Sequence, residues 1–152
     1  MTDELFQKML NSISSILRDS SLDEPFIEFV LKRLESLSYT VKEDDAWMIG
    51  FAAQKVENTV KNSCNTSSVP AGLRFVAVDM VCGEFLYSKK QTGSLDDFDL
   101  EVAVKQVQAG DTNVTFAVGE GSASVEQRLD ALFSYLINSG KGEFVCYRRV
   151  KW

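Results

Sequence analysis

Apolar residues recur at helical spacing through most of the chain. Between Asp3 and Arg18, Phe6, Met9, Leu10, Ile13 and Leu17 fall on one stripe, which predicts a first helix that Thr2 can cap. A second helix, from about Glu24 to Leu37, places Phe26, Val30, Leu34 and Leu37 on one face, with Ile27 and Leu31 beside it. Asp23 is its candidate N-cap, and Pro25 falls in the first turn, where a missing N–H is harmless. A third helix spans roughly Asp45 to Asn62. Trp47 and Phe51 stand one turn apart, Met48, Ala52, Val56 and Val60 follow at fours, and Gln54, Lys55, Glu57 and Lys61 occupy the opposite side. That is the pattern of an amphipathic surface helix.

The fourth helix breaks this rule. It starts with Pro70 in its first turn and reaches about Lys89, and its "LRFVAVDMVCGEFLY" is apolar nearly all round. A helix apolar on most sides is buried on most sides, so this one is either central in the bundle or shared with a neighbouring subunit. A short helix over about Leu100 to Gln108 shows Leu100, Ala103, Val104 and Val107 on one face, and Gly110 can end it. The period then changes to two. Val114, Phe116 and Val118 alternate with Asn113, Thr115 and Ala117, which reads as a strand. In the last helix Ser124 and Gln127 match a capping box, Leu129, Leu132, Phe133, Leu136 and Ile137 complete the stripe, and Gly140 is the stop. The tail alternates again: Phe144, Cys146, Val150 and Trp152 face one way, with Arg148 the exception, and Val145, Tyr147, Arg149 and Lys151 the other.

The expected fold is therefore mainly α: a small bundle of about five to six helices with one or two short β-strands near the C-terminus. At 152 residues it is a single domain, with 1–20 as a possible N-terminal helical extension. Composition excludes several function classes. Net charge is −6, where a fold that grips duplex DNA needs a basic surface. No stretch approaches a membrane span, and "MTDELFQKML" has acids where a secretion signal has bases. The chain has no histidine, so Ser-His and Cys-His constellations cannot be built within it. Cys64, Cys82 and Cys146 are an odd count without a CxxC pair, which reads as reduced, mostly buried thiols.

Other chemistry reduces to structure. "GEGS" (Gly119 to Ser122) before a helix lacks the Lys and spacing of a phosphate loop and reads as a turn plus cap. Asp44, Asp45 and the acids of 96–99 lack calcium-loop spacing and read as solvated helix-start residues. Asp79, inside the most apolar helix, reads as a structural pair or a helix-surface position ahead of a catalytic group. The sequence thus points to no enzyme, no cofactor and no metal.

The tail has two readings. As an edge strand, its cations discourage aggregation. As a C-terminal docking arm over 142–152, it offers Arg, Tyr and Trp, the side chains most enriched at binding hot spots.

The series "EDDAWMIGFAAQKVENTVKNSCN", "VPAGLRFVAVDMVCGEFLYSKK", "AVKQVQAGDTNVTFAVGEGSASVEQRLDALFSYL" and "YRRVKW" resembles the head–tail connector (adaptor) proteins of tailed bacteriophages and prophages. The resemblance covers about residues 24 to 152. It implies a non-enzymatic protein of the virion neck, assembled in the host cytoplasm. Its partners would be the portal protein, further copies of itself in a ring, usually of twelve, and a stopper or tail-completion protein. DNA would pass through the channel without specific binding, and no membrane is involved. The resemblance assigns portal or neighbour contact to Tyr147, Arg148, Arg149, Lys151 and Trp152. A second candidate contact is Asn113, Thr115 and Phe116. The competing expectation is a monomeric or dimeric phage-encoded regulatory protein that binds a soluble host or phage target.

Overall fold

A computed structural model describes residues 1–95, 98–110 and 124–150. Helix α1 (Asp3–Ile16) begins where the Thr2 hydroxyl accepts from the Leu5 N–H, and α2 (Glu24–Ser36) where the Asp23 carboxylate accepts from the Phe26 N–H. Each cap satisfies a donor that the first helical turn leaves free. α3 (Ala46–Cys64) follows a single 3-10 turn, and Asn65 ends it in the left-handed region at φ 56°. α4 (Arg74–Gln91) follows a second 3-10 turn over Ala71–Leu73, so Pro70 precedes the helix instead of sitting inside it. α5 covers Leu100–Gly110, and α6 (Val125–Asn138) carries the expected capping box between Ser124 and Gln127.

α4 is the central helix, packed against α2, α3 and α6. Its Ala77, Val78, Met80, Val81, Cys82, Phe85 and Leu86 are all buried, which accounts for its all-round apolar pattern within one subunit. Gly83 permits the closest approach. A Cβ there would lie 2.8 Å from Ile137 Cγ1, 2.9 Å from Leu136 Cβ and 3.1 Å from the Phe133 carbonyl oxygen. α1 packs on α2 and α3 and contributes Met9, Leu10, Ile13 and Leu17 to the core, so residues 1–20 are built into the bundle.

Three expectations are corrected. The C-terminal segment is not a strand: Lys141–Glu143 form a 3-10 turn and α7 (Phe144–Tyr147) is one helical turn, with extended backbone only from Arg148. No strand occurs among the described residues; the one expected over 113–118 lies outside them. A helical turn wins because Phe144 must turn inward to the core while Cys146, two residues on, stays exposed.

The other two corrections concern acids read as solvated. Asp45 is buried, taking hydrogen bonds from the Tyr39 hydroxyl (2.8 Å) and the Lys42 N–H (2.9 Å) and an ion pair from Lys89 (3.1 Å). Glu57, on the supposed polar side of α3, is also buried, because the α1–α2 connection folds over that side.

Candidate docking surface

The C-terminal segment returns to the end of α3. The last carbonyls of a helix have no partner within it, and they carry the negative end of its dipole. Residues 148 and 149 supply what they lack. The Arg149 N–H donates to the Cys64 carbonyl (2.8 Å), and Arg148 Nε donates to the Ser63 carbonyl (3.0 Å). Asn65, freed by its left-handed cap conformation, donates from Nδ2 to the Arg149 carbonyl (2.9 Å). Phe144 is buried beneath, and the Tyr147 ring lies over Gly72, whose missing Cβ leaves room for the tyrosine hydroxyl. The segment is fixed to its own bundle through Arg149.

What stays outward is basic and apolar. Arg148, Arg149, Val145 and Val150 are exposed. Among the described residues no carboxylate pairs with either guanidinium, whereas Arg33, Arg74, Lys89 and Lys90 each have an acidic partner. A pocket of about 380 Å³ opens between the α3–α4 loop and this segment, lined by Ser67, Ser68, Pro70, Tyr147, Arg148 and Arg149.

Of the residues assigned to partner contact, Tyr147, Arg148 and Arg149 are thus brought together at one end of α3. Lys151 and Trp152, and the second set of Asn113, Thr115 and Phe116, lie outside the described residues. "GEGS" lies outside them too.

Two further surface features stand apart from the tail. Trp47 and Phe51 stack at 5.3 Å between centroids and are 66% and 57% exposed. Their one-turn spacing was legible, but their outward direction depends on which side of α3 the rest of the bundle covers. On another side, Phe29 and Phe75 meet edge to face at 5.4 Å, with the Arg74 guanidinium over Phe29, above a groove that Arg33, Val78 and Asp79 line between α2 and α4. Phe75 is 68% exposed.

The titratable groups in the bundle are occupied structurally. Asp79 pairs with Arg33 at 2.8 Å; burial pushes its carboxyl above the usual range, and Arg33 pulls against that. Burial also pushes the Cys64 and Cys82 thiols up, away from the thiolate form a nucleophile needs. Among the described residues no group of three or more Cys, Asp or Glu is arranged to hold a metal ion, and no helix is long and apolar enough to cross a membrane.

No family model, curated protein or solved structure matches the chain.

Proposed function

We propose that the chain is a non-enzymatic structural protein, a head–tail connector of a tailed bacteriophage or prophage. Its copies form a ring beneath the portal and continue the DNA channel. The observation that carries the reading is the C-terminal platform. The "YRRV" residues are held against α3 with two exposed arginines that have no carboxylate partner among the described residues, in a protein of net charge −6. Arginine, tyrosine and an apolar surround are the composition of a protein–protein hot spot. The stretches that resemble connectors end in these same residues.

Two exposed aromatic pairs on different sides of the subunit support self-association. A ring closes through a head-to-tail contact, in which each subunit uses two different surfaces. Trp47–Phe51 and Phe29–Phe75 are such a pair of surfaces. Excess negative charge suits a channel wall that lets phosphates pass without holding them.

The test is co-sedimentation with the cognate portal ring, comparing the full chain with Arg149→Glu. This substitution is preferable to truncation after Gly142, which would remove the buried Phe144. Binding of the full chain in ring stoichiometry, lost in Arg149→Glu, is the expected result. Absence of portal binding by the full chain overturns the connector reading in favour of a regulatory protein with a soluble target.

A further inference from the structure

We propose that the pocket between the α3–α4 loop and the C-terminal segment binds an acidic peptide segment of a protein partner, whose carboxylates are taken by Arg148 and Arg149. The inference rests on the docking reading above and names the ligand chemistry of that surface.

Four observations point to this ligand. First, neither guanidinium has a carboxylate partner among the described residues, although acids outnumber bases in the chain, 22 to 16, and the one hydrogen bond from Arg148 Nε to the Ser63 carbonyl leaves its terminal nitrogens for a ligand. A guanidinium presents a planar fork of donors that matches a carboxylate. Second, the Arg149 backbone is pinned on both sides, through its N–H to Cys64 and its carbonyl to Asn65, so the root of the side chain is fixed before any ligand arrives. Preorganisation of this kind lowers the entropy lost on binding. Third, the lining mixes donors with apolar surface. Ser67 and Ser68 offer hydroxyls, while Pro70 and Tyr147 offer walls for side-chain methylenes. Fourth, a volume of about 380 Å³ admits one or two acidic side chains of an extended segment. A nucleic acid fits less well, because a phosphodiester backbone is tracked along an extended basic groove, and here two adjacent arginines stand in a lining otherwise made of neutral residues.

The experiment is fluorescence anisotropy on the full chain with a labelled hexaglutamate peptide. A labelled hexaglutamine peptide and a labelled single-stranded oligonucleotide are the other arms. Among the described residues the Arg149 guanidinium makes no hydrogen bond or ion pair, so Arg149→Gln keeps both backbone hydrogen bonds and should melt with the parent protein. Expected is binding of hexaglutamate but not hexaglutamine, weakened at least tenfold in Arg149→Gln, partly recovered in Arg149→Lys, and reduced by salt. Failure of hexaglutamate to bind, or binding indifferent to Arg149→Gln, overturns the proposal. So does tighter, Arg149-dependent binding of the oligonucleotide, which would assign the pocket to phosphodiesters. The assay needs no portal. Hexaglutamate binding without portal binding would sink the connector and leave the pocket standing; portal binding without hexaglutamate binding would do the reverse.

Discussion

Glu57 ties the α1–α2 connection to the middle of α3, and its removal should be felt across the bundle. Its residue surface is 1% exposed. Oε2 accepts from the Ser20 hydroxyl (2.8 Å), the Ser21 N–H (2.9 Å) and the Ser21 hydroxyl (2.6 Å), and Oε1 accepts from Gln54 Nε2 (2.9 Å). Hydrogen bonds to a charged group contribute roughly 1.5–3 kcal/mol each. Ser21 is exposed and Ser20 partly so, and both can recover water when the carboxylate goes, so the full sum will not be lost. We expect Glu57→Ala to cost about 3 kcal/mol and Glu57→Gln, which keeps one acceptor, about 1 kcal/mol. For a chain of this length the alanine variant should melt roughly 6–12 °C lower.

The loss should depend on pH in a defined direction. Burial pushes the Glu57 carboxyl up, but hydrogen bonds from Ser21, Ser20 and Gln54 outweigh it and hold the group below its ordinary value of 4.5. A group depressed in the fold stabilises above its unfolded pKa, and the benefit disappears as pH falls through the folded value. Urea unfolding followed by circular dichroism, run on parent and Glu57→Ala from neutral pH downward, measures the gap between them. The gap should hold above pH 4.5 and narrow below it. A gap under about 0.5 kcal/mol at neutral pH, the range of an ordinary surface substitution, would refute the reasoning. A gap that stays constant into acid would refute it as well.

Asp45→Ala leaves Lys89 and the Tyr39 hydroxyl without their partner in a buried setting, and should cost about 3–5 kcal/mol by chemical denaturation. Tyr39, pushed well above the usual tyrosine range by burial and then by Asp45, should remain un-ionised in an alkaline absorbance titration, and Tyr39→Phe should leave the ionisation amplitude unchanged. Gly83→Ala gains helix propensity of about 1 kcal/mol but overpacks the α4–α6 contact by about 1–3 kcal/mol, so thermal melting should show a net loss. Leu132→Asp places an unpaired charge at a fully buried position of α6 and should abolish the cooperative helical unfolding transition.

The helices were legible because their signals are local. Thr2, Asp23 and the Ser124–Gln127 box cap the helices they were read to cap, and the stripes of α1, α2 and α6 are the faces that are buried. Misreadings came where distant chain covers a surface. Glu57 lies among polar neighbours at helical spacing, and nothing in α3 says that Ser20 and Ser21 will fold onto it. Asp45 looks like an N-terminal acid of α3, yet its partners Tyr39 and Lys89 come from outside that helix. From Phe144 the tail alternates at period two, with Arg148 the exception, and one turn of helix still forms over Phe144–Tyr147. Phe144 has a place in the core and Arg149 a carbonyl to meet at the end of α3, two long-range contacts that outweigh a local preference.

Those long-range contacts also bear on where a ring would find its interfaces. An over-apolar helix invites the idea that it is shared between subunits, but α4 spends its apolar surface inside one chain, on α2, α3 and α6. What remains for a neighbour lies at its two ends, where Phe75 and Tyr87 are exposed, and on the outer aromatics Phe29, Trp47 and Phe51. Hydrophobic side chains of this size are costly to leave in water, and clustered ones mark contact surfaces more often than scattered ones do. The C-terminal platform is a separate surface, basic with an apolar surround, set against the far end of α3. A subunit divided in this way can hold its neighbours through aromatics and a different protein through arginines. Changes to the Trp47–Phe51 pair should therefore alter self-association without touching capture of an acidic segment, and changes at Arg149 should do the opposite.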